Sequence, residues 1–238
     1  MTQRLHRRVI CITGASRGLG KALAEACAAE GAHLVLGART VPELEAVAAA
    51  TNAVAVPTDV RDPVEVDRLV QTAVAEFGHL DVMINNAGLA VYGPLESMTP
   101  DDVSLMLDTN VKGLIWGSHA ALRAMKPRRS GHIVNISSVA GKLHLPNESV
   151  YCATKWAVNG FTGVLRQEAA QSGVKVTVVC PGGIDTPFWK ALDFYPFPEN
   201  VHPERDFLKP EEIAQTVVSV LINSDRYLVP EVVMVPML

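Results

Sequence analysis

Short apolar runs alternate with stretches of helical periodicity along most of the chain. Val9–Ile12, Leu34–Leu36, Val54–Val56, Val82–Ile84, Ile133–Ile136 and Val176–Cys180 are brief and mostly aliphatic. Runs of that kind read as strands buried on both faces, as in a parallel sheet. Between the third and fourth runs, Val66, Leu69, Val70, Ala73, Val74 and Phe77 fall on one helical stripe. Asp62-Pro63-Val64-Glu65 opens that helix with a cap, a first-turn proline and an acidic third position. Leu19, Leu23, Ala26 and Cys27 make a second stripe, with Lys21 and Glu25 on another face. Thr99-Pro100-Asp101-Asp102 and Lys209-Pro210-Glu211-Glu212 start two more helices. Alternation of this kind predicts an α/β fold: a doubly wound parallel sheet of about seven strands with helices on both faces. The 238 residues suit one such domain, without repeats, low-complexity tract or obvious linker.

Two motifs carry chemistry. Thr13-Gly14-Ala15-Ser16-Arg17-Gly18-Leu19-Gly20 lies between the first apolar run and the first helical stripe. Strand, glycine-rich turn and helix aim a helix N-terminus and free backbone N–H groups at a pyrophosphate. The glycines are spaced Gly-x3-Gly-x-Gly, not the Gly-x-Gly-x2-Gly of the usual dinucleotide fingerprint. Farther along, Tyr151 and Lys155 stand four residues apart in Tyr-Cys-Ala-Thr-Lys, and Ser138 lies thirteen positions before the tyrosine. Positions i and i+4 share a helix face. An ammonium beside a phenol favours the phenolate, so the pair predicts a Tyr151 pKa pulled below its ordinary value of about 10. A tyrosine tuned that way exchanges a proton near neutrality, as reducing a ketone or oxidising an alcohol requires.

Thr13 to Gly20, Asn85-Asn86-Ala87-Gly88, Asn110, Ser138, Tyr151-x3-Lys155 and Pro181-Gly182 occur in the order and at the distances of the short-chain dehydrogenase/reductase family, which the chain resembles. The motifs run to Thr186, and the flanking patterns extend the likeness over nearly the whole chain. The resemblance implies one Rossmann-type domain over 1–238 with a substrate loop at about 187–208, and no room for the lobe of the family's extended branch. It implies an NADP(H)-dependent oxidoreductase interconverting a carbonyl and an alcohol, with Asn110, Ser138, Tyr151 and Lys155 catalytic. Tyr151 would be the general acid/base. Ser138 would share the substrate oxygen with it, Lys155 would add a positive field and reach the nicotinamide ribose, and Asn110 would kink a helix and hold a water. Cofactor contacts are implied at Gly14, Ser16, Arg17, Gly18, Leu19, Gly20, Arg39, Asp59, Val60, Asn86, Ala87, Gly88, Tyr151, Lys155, Pro181, Gly182, Ile184 and Thr186. Among them, Asp59 would receive the adenine amine.

Cofactor choice has its own argument. NAD-preferring sites place a carboxylate at the end of the second strand. Here the segment reads Gly37-Ala38-Arg39-Thr40, and the next acid is Glu43. Arg39, with Arg17 on the other side, can pair a 2′-phosphate instead, which predicts NADP(H). Net charge is −4 with no basic block, so nothing predicts nucleic acid as partner. Cys11, Cys27, Cys152 and Cys180 lack metal-like spacing and read as reduced, packed thiols of a cytoplasmic protein. The histidines show no ligand spacing, so no metal is expected. The basic Arg4–Arg8 start leads into an apolar stretch too short for a signal peptide, and no run approaches membrane-spanning length. Trp116 and Trp156 are expected on helix faces. Family members commonly pair their long fourth and fifth helices, which implies a homo-oligomer, tetramer or dimer.

Substrate is less determined. Pro187–Leu208 is rich in proline and aromatics (Phe188, Trp189, Phe194, Tyr195, Phe197) and should fold over a small-molecule substrate. Its Lys190, Asp193, Glu199, His202 and Arg205 leave a charged substrate open, and His144 either lines the pocket or has no chemical task. Leu89-Ala90-Val91-Tyr92-Gly93-Pro94 and the tail from Val229 to Leu238 depart from 3-oxoacyl-[acyl-carrier-protein] reductases. The chain resembles NADP-dependent 3-hydroxy acid dehydrogenases and broad carbonyl reductases more, with the acyl-carrier reductase as the alternative. A non-catalytic NADPH-binding sensor or scaffold is the alternative of another class.

Overall fold

Successive side chains of a strand point to opposite faces, and here both faces are apolar. Ile10 and Ile12 join a core with Leu23, Leu44 and Val217, while Val9 and Cys11 join a second core with Val66, Leu69 and Ala121. A strand buried on both sides has no amphipathic alternation to show, which is why the six runs read as continuous apolar segments. The computed structural model describes residues 3–189, 192, 196–198, 200–223 and 226–237. The strands are β1 (Val9–Thr13), β2 (His33–Ala38), β3 (Val54–Pro57), β4 (Val82–Asn85), β5 (Gly131–Ile136), β6 (Val174–Pro181) and β7 (Glu231–Met234). They pair in parallel in the order β3-β2-β1-β4-β5-β6-β7. Six match the expected runs. The seventh comes from the tail after Val229, where Pro230 and Pro236 bracket a half-exposed edge strand.

The helices α1 (Gly18–Ala29), α2 (Val41–Thr51) and α8 (Pro210–Leu221) cover one face, and α3 (Pro63–Phe77), α5 (Gly113–Met125) and α6 (Ser149–Ala170) cover the other. Their starts follow the expected signals. Asp62 caps α3 by accepting from the Val64 N–H at 2.8 Å. Thr99 and Asp102 form a capping box on α4 (Pro100–Leu107), and Glu212 accepts from the Lys209 N–H at 2.7 Å ahead of α8. A short α7 (Pro203–Asp206) lies in the segment before it.

Two features position the site. The chain leaves β1 for β2 on one side and returns to β4 on the other, so a crevice opens at the carboxyl ends of these strands. Between α4 and α5 a π-helical turn, Asp108–Lys112, interrupts the helix and buries Asn110. Beneath the crevice, Asn85 Nδ2 donates to Asn135 Oδ1 (2.8 Å) and Ser118 Oγ (3.0 Å), tying β4, β5 and α5 together. The four cysteines are free and buried. Among the described residues, no helix is long and apolar enough to cross a membrane.

Candidate active site

Turns at the carboxyl ends of β1 to β6 enclose a cleft of about 500 Å³. One wall is the glycine turn. Gly14 has φ +66°, and a Cβ there would stand 2.8 Å from Ala87 Cα; at Gly20 it would stand 2.1 Å from the Gly14 carbonyl oxygen. Side chains at these positions would collide with the Asn86–Ala87 turn and with the glycine turn's own backbone, so glycine lets the two walls close up. Arg17 precedes α1 in extended conformation with no side-chain cap, leaving the first-turn N–H groups to the cleft. Thr13 Oγ1 braces the facing wall, accepting from the N–H groups of Asn86 (3.0 Å) and Ala87 (3.1 Å).

Gly14, Ser16, Arg17, Gly18, Leu19, Gly20, Arg39, Asp59, Val60, Asn86, Ala87, Gly88, Pro181, Gly182, Ile184 and Thr186 all line this cleft. Arg17 and Arg39 are exposed and make no ion pair among the described residues. Asp59 is already engaged: the Arg61 guanidinium chelates it at 2.5–3.0 Å and holds its pKa below the usual carboxylate range. The glycine cradle, a free helix N-terminus and two uncommitted guanidinium groups fit a dinucleotide with an extra phosphate.

At the other end stand Ser138, Tyr151 and Lys155. Tyr151 and Lys155 project from the first two turns of α6, and Lys155 Nζ lies 5.6 Å from the phenol ring centre. The ammonium donates to the Ile136 carbonyl at 3.3 Å, and burial lowers its pKa to about 8. Ser138 Oγ accepts from the Ala140 N–H at 3.1 Å and donates to the Pro181 carbonyl at 3.4 Å. One expectation is corrected. Burial raises the Tyr151 pKa above its ordinary value, opposed in part by hydrogen bonding to Ser138. Loss of water outweighs the ammonium because Lys155 is itself desolvated and stands over the ring, 5.6 Å from its centre.

Asn110 stands behind the cleft wall. Its carboxamide donates to the Leu89 carbonyl (2.8 Å) and Thr154 Oγ1 (3.2 Å) and accepts from the Leu89 N–H (2.9 Å). It thus ties the turn after β4 to α6, one residue from Lys155.

Above Tyr151 the cleft is aromatic. Tyr92 meets the Tyr151 ring edge-on at 5.4 Å, and Phe188, Trp189, Phe197 and Phe207 continue the wall. Trp189 Nε1 donates to the Ile184 carbonyl at 2.6 Å, tying the chain after Pro187 back to the end of the cleft. Lys190, Asp193, Phe194, Tyr195 and Glu199 lie outside the described residues. Arg205 pairs with Asp206 at 2.7 Å, and neither it nor His202 lines the cleft. His144 does not line it either: it stacks on Trp156 at 5.5 Å over a separate surface hollow. Trp116 is half-buried against the α3–α5 core, while Trp156 is 45% exposed on α6.

Sequence reasoning missed Tyr92 and Glu148. Tyr92 stood in a segment read only for its departure from a pattern. Glu148 lies three residues before Tyr151, a helical spacing that could have flagged it. Its side chain is largely buried at the cleft wall, and desolvation raises its pKa to about 7.

The model of the short chain dehydrogenase family matches residues 8–194. An uncharacterized oxidoreductase of Staphylococcus saprophyticus is 38% identical over 216 residues, 88% of each chain. An alcohol dehydrogenase from the archaeon Thermococcus sibiricus, solved with 5-hydroxy-NADP, superposes with a TM-score of 0.87 at 30% identity over 97% of both chains. A metagenomic short-chain oxidoreductase in complex with NADP gives a TM-score of 0.84 at 30% identity over 99% of both.

Proposed function

We propose, from the premise that the chain belongs to the short-chain dehydrogenase family, that it is an NADP(H)-dependent oxidoreductase interconverting a ketone or aldehyde with its alcohol. The observation that carries the reading is the convergence of Ser138, Tyr151 and Lys155 at one end of a cleft whose other end has a glycine cradle and two free arginines. The NADP complexes of similar structures support the cofactor. When bound, NADP(H) supplies the hydride in reduction and accepts it in oxidation. The chain's own groups manage the oxygen. Ser138 and Tyr151 hydroxyls donate to it as negative charge grows, and Tyr151 gives up its phenolic proton. The Lys155 ammonium stabilises the phenolate left behind. Asn110 holds the backbone beside Lys155 in place and would hold a water that reconnects Lys155 to solvent. In oxidation, Tyr151 takes the proton back.

The same reading treats 1–238 as one NADP(H)-binding domain whose loop at about 187–208 selects the carbonyl, and the protein as a cytoplasmic homo-oligomer, tetramer or dimer. Trp156 and Val164, exposed on α6, support assembly through that helix.

Turnover of NADPH across aldehydes, ketones, diketones, 3-oxo acids and 3-oxoacyl thioesters tests the activity. Tyr151→Phe tests the chemistry: kcat should drop by ~10²–10⁴, the usual worth of a general acid, with NADPH still bound. A variant that keeps its turnover would remove Tyr151 from the role.

A further inference from the structure

The carbonyl–alcohol reading leaves one group in the cleft unused. Glu148 is 6% exposed and lines the cleft, and its carboxyl, whose oxygens still reach the open cleft, has no hydrogen-bond or ion-pair partner among the described residues. A carboxylate largely shielded from water and without a counter-charge is costly. Nothing in its surroundings offsets that cost: desolvation alone moves its pKa up, and its charge in turn raises those of Tyr92 and Tyr151. The other acid of the cleft, Asp59, is neutralised by Arg61. The free cations Arg17 and Arg39 belong to the glycine-turn end, and Lys155 is turned to the Ile136 carbonyl. A carboxylate at a helix N-terminus does favour the helix dipole. That role is met equally well by an exposed side chain, so it does not account for burial beside Tyr151.

The rest of this end is apolar, and Tyr92, Phe188, Trp189 and Phe207 offer ring faces and edges beside aliphatic Leu89 and Leu145. Ring faces attract cations, most strongly where water is excluded. A substrate carboxylate would meet repulsion from Glu148 instead.

We propose that Glu148 selects carbonyl substrates bearing an ammonium group, and the amino alcohols they interconvert with. The claim rests on the carbonyl–alcohol reading above, but it can fail separately. Phenacylamine, propiophenone and benzoylformate present similar aryl ketones with a cationic, neutral and anionic arm. With NADPH, kcat/KM should rank in that order, and Glu148→Gln should lower the phenacylamine-to-propiophenone ratio by about tenfold or more, as loss of a buried ionic partner does. An unchanged ratio in the variant, or a wild-type preference for benzoylformate, overturns it. A second measurement needs neither a variant nor turnover: calorimetric binding of phenethylammonium and phenethyl alcohol to the NADPH-loaded protein. The cation should bind about tenfold tighter or more. Equal or weaker binding of the cation overturns the assignment. Turnover of none of the ketones counts against the oxidoreductase reading, while the binding comparison still decides Glu148.

Discussion

Replacing Arg39 with aspartate should turn the cofactor preference around. Arg39 follows β2 directly, is exposed, and has no ion-pair partner among the described residues; Asp59 feels its charge but is held by Arg61, so a 2′-phosphate meets only a weak internal competitor. A hydrogen bond to a charged group contributes about 1.5–3 kcal/mol. Exposure puts Arg39 at the low end, since surface charges are screened. The new carboxylate adds repulsion of about 1 kcal/mol at contact distance in water. Arg17 remains on the other side and keeps part of the attraction. The sum is a loss of roughly 2–3 kcal/mol, or about 30-fold to 150-fold in the NADPH Kd at 1.4 kcal/mol per decade. For NADH the aspartate gains a ribose hydroxyl as donor, so affinity should hold or improve. Titrations with both cofactors, by quenching of tryptophan fluorescence at low and high salt, read the effect directly. The NADPH penalty should shrink with salt. Equal losses for NADPH and NADH would refute the assignment of Arg39 to the 2′-phosphate.

Two further outcomes follow from burial and from close packing. Burial holds Lys155 at about 8, and its charged form is the one that assists Tyr151. Therefore kcat/KM for NADPH, which follows ionisations of the free protein, should fall as pH rises through about 8; a level profile to about pH 10 contradicts this. In α5, a Cβ on Gly117 would sit 2.0 Å from Asn85 Oδ1, whereas on Gly160 in α6 it would meet nothing within 4 Å. Gly117→Ala should cost roughly 2–4 kcal/mol in urea unfolding through overpacking and broken buried hydrogen bonds, and Gly160→Ala should gain about 0.5–1 kcal/mol; similar effects at both sites would show that the Asn85 network does not hold β4 to α5.

What could be read from the chain was what depends on local order. Six strands were legible because burial on both faces leaves uninterrupted apolar runs, and α3, α4 and α8 because their caps lie within four residues of sequence. The glycine turn could be read as a cradle since strand, turn and helix are contiguous there. β7 was not read as a strand, because a half-exposed edge strand between two prolines carries little pattern. The Tyr151 expectation failed for a different reason. Spacing reports which side chains share a face, but the depth of water exclusion comes from packing against Tyr92, Leu145, Phe188 and Trp189, which no helical spacing from Tyr151 announces. His144 illustrates the converse. It is close to Tyr151 along the chain, and yet the turn ahead of α6 carries it to the outer surface beside Trp156. Asp59 lines the cleft, but its chelation by Arg61, two residues on, was overlooked.

Water exclusion at the Tyr151 end sets the behaviour of three groups at once. It moves the Tyr151 phenol up, the Lys155 ammonium down to about 8 and the Glu148 carboxyl up to about 7. Each shift favours the neutral form, although Lys155, at about 8, stays mainly charged at pH 7. Two of them then titrate close to neutrality, where a modest change of surroundings alters their charge. A cation seated by Glu148 restores its carboxylate and releases a proton. The same cation would oppose the charge on Lys155 unless the developing oxyanion at Ser138 and Tyr151 separated them. That arrangement favours a substrate whose carbonyl and charged group lie apart by at least one carbon. It also predicts proton release on binding phenethylammonium near pH 7, seen as an enthalpy that varies with buffer ionisation heat. A binding enthalpy independent of buffer would mean that Glu148 is already ionised in the open cleft, and that desolvation is not what governs this end of the site.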